Sequence, residues 1–456
     1  MTSPDPGRFL SHVVESRKAD DLFAGLYERA SDEDQVATLR RRRRGVSNDG
    51  DSAIKTVSLV DENGTLYWRD GIPAREFSHR RSRRGWDTVS EGSLVLPRAF
   101  PILAPNKVIA AVGAIDRRLN PAIDDALHSR LRGLKQTSGG TFELQANARG
   151  PFAGRTLLFV HGTFSNAANM LEEFAAPGRP GNEFLQRATR GPNKYDQVLF
   201  FDHPTLAVSP VMNALELGRA MAGTTGSIDV IAHSRGGLVV RWWLEAFGGS
   251  LKMTAPGVRA ILAGSPLFGT SLAAPDKIQH ALSLLSNIGT LAEGVLKLTG
   301  AANPFLWVAG KLVEVVVSVT GTLARTPIVD GLTALVPGLA GQSRVSNNYE
   351  LSRLRLGPCA IDPNYFAIVS NFETKDPRWR FWENFRKDRA MDLATDVIFP
   401  KENDLVVDTD SMTDFGVPKL KLAGAACDFG TSASVWHCSY FREPKAIKYI
   451  ADTFKP

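Results

Sequence analysis

The chain has 456 residues, which is enough for two or three domains or for one large α/β domain with additions. Its composition, with 43% hydrophobic and 22% charged residues, is that of a globular protein and excludes a chain that is disordered throughout. The formal net charge is +6, and arginines cluster at 40–44 and 80–84, but few aromatic residues accompany them, so nucleic acid is not an expected partner.

Residues 1–138 are predicted to form an N-terminal α+β extension, and no motif there indicates its role. After a helical pattern, Asn63-Gly64 separates two strand-like runs and predicts a hairpin, because Asn-Gly suits the left-handed turn between antiparallel strands. Short apolar runs at 93–96 and 107–112 predict further strands. The first residues lack an apolar core of signal-peptide length, so we expect a cytoplasmic protein.

Residues 139–456 are predicted to form a second domain in which strands and helices alternate. Strands are expected at 156–160, 197–201, 228–232, 260–263 and 365–370, and helices at 166–174, 210–221, 236–247 and 444–454. Nearly continuous apolar strands separated by amphipathic helices are typical of a parallel sheet covered on both faces. We therefore predict an α/β fold with a doubly wound, mainly parallel sheet.

The alternation stops between about 271 and 351, where only helical apolar stretches occur. Charged residues such as Glu293 and Lys311 interrupt them, so none reaches the roughly 18 uncharged residues of a membrane helix. We predict a helical lid inserted into the second domain, with an apolar face that could contact a membrane surface. The alternative is a helical subdomain that only packs on the core.

The stretch around Ser234 predicts a nucleophile on a sharp strand-to-helix turn. An apolar run stops at Ala232, paired glycines follow at Gly236 and Gly237, and helical spacing then begins. The pattern departs from G-x-S-x-G only at Ala232, and such a tight turn requires small flanking residues. A serine that merely caps a helix after a buried strand is the alternative interpretation.

A serine nucleophile needs a base, and the base needs an orienting acid. In this type of sheet the chain order is Ser, then Asp or Glu, then His. Of the eight histidines only His280 and His437 follow Ser234, and His280 begins the predicted lid, so His437 is the candidate base. Asp404 is the preferred acid because it follows Asn403 and precedes an apolar run, with further candidates at Glu402, Asp396, Asp408, Asp410, Asp414 and Asp428.

Acyl transfer also requires donors for the developing oxyanion, each worth about 3 kcal/mol of barrier. One is expected to be the backbone N–H of Arg235, directly after the nucleophile. The strand ending at Val160 is followed by a glycine that permits close backbone approach, Gly162. The N–H of either Thr163 or Phe164 is the expected second donor.

Three segments, followed by His437, together resemble the lipase and esterase branch of the α/β-hydrolase superfamily: Val160-His161-Gly162-Thr163, Ala232-His233-Ser234-Arg235-Gly236-Gly237 and Asn403-Asp404-Leu405-Val406-Val407. Bacterial lipases and the GPI inositol-deacylase-like group carry similar segments. The resemblance covers about residues 150–456 and implies Ser234 as nucleophile, His437 as base and Asp404 as orienting acid. Many relatives have Met or Leu at the position of Arg235, so the resemblance leaves open which acyl group the substrate carries.

We therefore predict a serine esterase acting on carboxylic esters that are lipid-like, through an acyl-enzyme. An acyltransferase with the same triad and a catalytically idle binding module are the alternatives. No P-loop or dinucleotide fingerprint occurs, and no metal or organic cofactor is expected. The cysteines, Cys359, Cys427 and Cys438, are expected to be buried thiols, with a Cys427–Cys438 bridge left open.

Overall fold

The computed structural model describes residues 54–62, 65–70, 93–101, 105–138, 140–274, 281–284, 287, 312, 336–344, 348–358, 360–376, 379, 399, 402–416 and 420–456. The chain divides into two compact units. The first comprises Met1–Ala114, Pro275–Leu335 and Pro377–Ile398, and the second comprises Ile115–Ala274, Val336–Asp376 and Phe399–Pro456. Both arginine clusters, most of the predicted lid at 271–351, and Cys359 lie outside the described residues.

In the first unit, three strands form an antiparallel sheet in the order β2-β1-β3: β1 (Ile54–Glu62), β2 (Thr65–Asp70) and β3 (Ser93–Pro101). Strands β1 and β2 pair as far as Glu62 and Thr65, on either side of the Asn-Gly dipeptide. The predicted hairpin and the predicted strand at 93–96 are confirmed.

The predicted strand at 107–112 is wrong, because these residues belong to helix α1 (Pro105–Leu119). Proline fits the first turn of a helix, where its missing N–H leaves no bond unmade. The buried residues Ala111, Val112 and Ile115 recur at helical spacing, which the short apolar run concealed. Residues 115–119 of this helix belong to the second unit.

The second unit contains most of the regular structure. Its strands are β4 (Arg130–Gln136), β5 (Phe142–Leu144), β6 (Arg155–Val160), β7 (Gln197–Asp202), β8 (Thr225–His233), β9 (Lys252–Ala263), β10 (Asn364–Phe372) and β11 (Cys427–Ser432). Its other helices are α2 (Ala167–Ala175), α3 (Pro180–Arg190), α4 (Pro210–Ala220), α5 (Gly236–Trp242), α6 (Pro337–Ala340), α7 (Tyr349–Leu354) and α8 (Pro444–Phe454). A π-helical turn, Trp243–Phe247, continues α5, and short 3-10 turns lie at Gly248–Ser250, Ser271–Ala273, Thr409–Met412 and Tyr440–Arg442.

The eight strands form one sheet in the order β11-β10-β9-β8-β6-β7-β4-β5. The six strands from β11 to β7 are parallel, whereas β4 and β5 add antiparallel pairs at one edge. The predicted doubly wound, mainly parallel sheet is confirmed. The sheet begins with β4, N-terminal to the boundary placed at 138/139, and β4 pairs with β7 from Arg130 onward.

Two hydrophobic clusters cover the two faces of this sheet. Alternate residues of β6 point to opposite faces, with Leu158 in one cluster and Phe159 in the other. Helices α4 and α5 contribute to the first cluster, and α2, α3 and α8 contribute to the second. The order of the strands reverses beside β6, since β7 lies on one side and β8 on the other. In parallel α/β sheets, ligands bind at the carboxyl end of such a switch point.

Cys427 and Cys438 are free thiols, the first buried and the second partly buried, which answers the question of a bridge between them. Among the helices that the structure describes, none combines the length and the apolarity needed to cross a bilayer.

Candidate active site

Ser234 lies on a strained turn between β8 and α5. Its φ is +54°, a left-handed value that a serine rarely adopts, and its amide donates to the carbonyl of Ala263 (2.8 Å). A side chain at Gly236 would collide with the carbonyl oxygen of Val160, so only glycine lets α5 start this close to β6. The turn therefore depends on neighbours from two other strands.

Asp404 and His437 are joined by a direct hydrogen bond. Nδ1 of His437 is 2.8 Å from Oδ2 of Asp404, and the backbone amide of His437 donates to the Asp404 carbonyl (3.0 Å). Asp404 lies in the loop after β10, and His437 lies in the loop after β11. Both side chains are buried, at 0% and 4% relative exposure. The structure thus brings together two residues that are 33 positions apart.

Three further donors fix the carboxylate of Asp404. Its Oδ1 accepts from the amides of Val406 (3.1 Å) and Val407 (2.8 Å), and its Oδ2 accepts from the hydroxyl of Tyr440 (2.8 Å). Asp408, the alternative acid, instead accepts from the amide and hydroxyl of Ser271. The contacts favour Asp404 as the partner of the histidine.

Neighbouring residues connect the turn of Ser234 with the loop of His437. The imidazole of His233, which precedes the serine, donates through Nε2 to the carbonyl of His437 (2.8 Å). A methyl group placed on Gly264 would lie 3.1 Å from Asp404 Oδ2 and 3.2 Å from His437 Nδ1, so the end of β9 adjoins the same pair. Between these described residues, no direct hydrogen bond joins the Ser234 hydroxyl to His437. Such bonds are often long without substrate and shorten when it binds.

The loop after β6 lies directly beside the serine. A methyl group on Gly162 would lie 2.7 Å from Cβ of Ser234 and 3.3 Å from its Oγ. The amide of Phe164 donates to the hydroxyl of Thr205 (3.3 Å), which argues against Phe164 as an oxyanion donor. The amides of Thr163 and Arg235, two of the predicted donors, have no hydrogen-bond partner among the residues that the structure describes.

Two buried histidines organise the same loop. The rings of His161 and His203 stack at 4.0 Å, and Nε2 of His161 accepts from the amide of His203 (3.2 Å). Burial lowers the pKa of His161 to about 4, so the ring is neutral and can accept this bond at physiological pH. His161 therefore has a structural role in the loop.

The sequence reasoning missed four residues that contact this region: Asp116, Thr205, His233 and Tyr440. His233 and Tyr440 lie within three residues of Ser234 and His437, so proximity in sequence could have indicated them. Asp116 is far from every motif, and no local pattern marks either Asp116 or Thr205.

A mainly parallel sheet with helices on both faces, a serine on a strained turn at the switch point and a carboxylate–histidine pair after the last strands define an α/β-hydrolase fold. Within that class, the chain belongs to the family described as "Domain of unknown function (DUF7379)", whose model matches residues 129–455.

The chain is similar to parts of several solved structures, three of which follow. Lipase 1 from Pelosinus fermentans is 14% identical over 66% of this chain and 98% of its own, with a TM-score of 0.41. EstA from Clostridium botulinum is 13% identical over 67% of this chain and 88% of its own, with a TM-score of 0.37. The phospholipase PlaB from Legionella pneumophila is 13% identical over 65% of this chain and 59% of its own, with a TM-score of 0.36. No curated protein matches the sequence.

Proposed function

We propose that this protein is a serine hydrolase that cleaves carboxylic esters through an acyl-enzyme on Ser234. The observation that carries the proposal is the hydrogen bond between Asp404 and His437, on loops that adjoin the strained turn of Ser234. A buried carboxylate that orients a histidine near a serine at the carboxyl end of the sheet is the arrangement that activates a hydroxyl nucleophile.

In the proposed mechanism, Ser234 Oγ attacks the ester carbonyl while Nε2 of His437 accepts its proton. The imidazolium is stabilised by Asp404, and the oxyanion is stabilised by the amides of Thr163 and Arg235. His437 then donates the proton to the leaving alcohol, which departs and leaves Ser234 acylated. Water attacks the acyl-enzyme with His437 as base, the acid is released and Ser234 regains its proton.

We further propose lipid-like esters as the substrate class, and we propose that the segment 271–351, for which the sequence predicts helices, acts as a lid. The support is the low charge of that segment and the resemblance of the sequence motifs to lipases. Activity that increases at the surface of detergent micelles would support a lid that opens at an interface.

The test of the proposed function is Ser234→Ala with short p-nitrophenyl esters as substrates. Turnover should fall by about 10³-fold or more, and a fluorophosphonate probe should no longer label the protein. Ser227→Ala, at the amino end of the same strand β8, is the matched control and should keep both activity and labelling. Wild-type turnover in Ser234→Ala would reject the proposal.

A further inference from the structure

Asp116 is a buried carboxylate that binds three consecutive residues of the loop after β7. It lies near the end of α1, is 1% exposed, and accepts hydrogen bonds from the amides of Thr205 (2.7 Å), Leu206 (3.0 Å) and Ala207 (2.6 Å). Burying a carboxylate is costly unless several donors compensate it, so these bonds fix the loop strongly. We call residues 205–208 the Asp116 loop.

One end of the Asp116 loop contacts the turn beside the serine. The hydroxyl of Thr205 donates to Oδ1 of Asp116 (3.2 Å) and accepts from the amide of Phe164 (3.3 Å). That amide belongs to the peptide unit between Thr163 and Phe164, and Phe164 has a left-handed φ of +60°. This hydrogen bond therefore fixes the peptide unit that follows Thr163. The backbone amide of Thr163 itself is one of the two proposed oxyanion donors.

The other end of the Asp116 loop contacts the residue after the serine. The carbonyl of Val208 accepts from Nη2 of Arg235 (2.6 Å), and the Arg235 side chain is fully buried. Burial lowers the pKa of Arg235 to about 10, and the negative charge of Asp116 opposes this shift. The amide of Arg235 is the second proposed oxyanion donor, so both donors belong to residues adjoining one carboxylate-bound loop.

We propose that Asp116 is a positioning residue for the oxyanion hole, acting through Thr205 on the Thr163 side and through Val208 on the Arg235 side. The inference rests on the proposed function. It also assigns a role to part of the segment 1–138, where no sequence motif indicates one. Asp116 lies N-terminal to the stretch 129–455 that the family model matches. The residues that we propose to position the oxyanion donors therefore extend beyond that match.

The test replaces the Thr205 hydroxyl and measures ester hydrolysis. Thr205→Val, nearly equal in shape, should lower kcat about 10-fold or more while KM changes less than about 2-fold, because displaced oxyanion donors act in the transition state. Thr205→Ser keeps the hydroxyl and should keep kcat within about 3-fold of wild type. Thr224→Val is the matched control: Thr224 is also buried and accepts from a backbone amide, that of Phe152 (3.4 Å), but it lies directly before the amino end of β8.

Thr224→Val should retain the wild-type kcat although it loses the same kind of bond. Equal kcat values in Thr205→Val and Thr224→Val would overturn the inference, as would a Thr205→Ser variant as slow as Thr205→Val. Asp116→Asn should lower kcat further, and hydrogen exchange of the Phe164 amide should accelerate in Thr205→Val, a readout independent of turnover. The Ser234→Ala variant separates failure of this inference from failure of the proposed function. If the proposed function were wrong, Ser234→Ala would keep the wild-type rate.

Discussion

Tyr440 shows how a residue outside the predicted triad can determine its geometry. Its hydroxyl donates to the same carboxylate oxygen that accepts from His437. Burial, and then the charge of Asp404, raise the pKa of Tyr440 well above its usual range, so the hydroxyl stays protonated and remains a donor. The orientation of the acid thus depends on a third side chain.

We predict that Tyr440→Phe lowers kcat/KM about 10-fold, because Asp404 loses a charge-assisted bond that orients it toward His437. Tyr365→Phe is the matched control: the hydroxyl of Tyr365 also donates to a buried carboxylate, that of Glu245, at 2.8 Å. Both variants should lose comparable stability, but only Tyr440→Phe should lose activity in steady-state ester hydrolysis. Similar losses of kcat/KM in both would contradict the prediction.

The loop after β6 packs closely against the end of β8, where Gly162 lies beside Ser234. Gly162→Ala places a methyl group 2.7 Å from Cβ of Ser234, a contact that real structures do not tolerate without displacement. We predict that this variant folds but loses at least about 100-fold in kcat/KM, because loop and serine must move apart. Gly249→Ala, whose added methyl meets nothing within 4 Å, should retain full activity in the same assay.

Two central strands of the sheet, β8 and β9, are joined by an ion pair. Arg259 on β9 donates to both oxygens of Asp229 on β8 at 2.7 Å, and it also donates to the carbonyl of Thr453 at the end of α8 (2.6 Å). Asp229 is 1% exposed, so the pair connects two central strands and the C-terminal helix in a buried environment.

We predict that Arg259→Met lowers the free energy of unfolding by about 3 kcal/mol, because it leaves the carboxylate of Asp229 buried with fewer donors. Lys448→Met removes an exposed pair with Asp452 on α8 and should cost less than about 0.5 kcal/mol. Urea denaturation of both variants measures the difference. A large loss in Lys448→Met or none in Arg259→Met would contradict the assignment.

The stability of the whole molecule is expected to depend on pH through Glu173 on α2. Burial raises the pKa of Glu173 from 4.5 to about 7, although Arg442 lies 3.8 Å away and its charge opposes the shift. A carboxyl whose pKa is higher in the folded state binds more protons when folded. Its contribution to stability is therefore complete below about pH 4.5 and is lost as the pH rises to about 7.

We predict that Glu173→Gln becomes more stable than the wild type as the pH rises from 5 to 8. The difference should reach about 2 kcal/mol, since the side chain is partly exposed and the full linkage value is reduced. Thermal unfolding at several pH values measures it. Glu172→Gln changes an exposed neighbour on the same helix and should show the same dependence of stability on pH as the wild type. If Glu173→Gln also showed the wild-type dependence, the raised pKa of Glu173 would be disproved.

Five of the six parallel strands, β6 to β10, were predictable because each contains a run of apolar residues bounded by turn residues. The serine turn was predictable because its small neighbours, Ala232 and Gly236, are required by local geometry. Helix α1 was predicted wrongly because the run 107–112 is too short to distinguish the two periodicities. Strands β4, β5 and β11 were not predicted.

Local patterns and chain order were enough to predict five of the parallel strands, the doubly wound sheet and the candidates Ser234, Asp404 and His437. The tertiary structure alone decided that Asp404 rather than Asp408 binds His437, and that the Phe164 amide is bound by Thr205. It alone brought Asp116 to the loop beside the site. Hydrogen bonds form between groups that are near in space, and packing of the sheet and helices brings together residues that no sequence pattern relates.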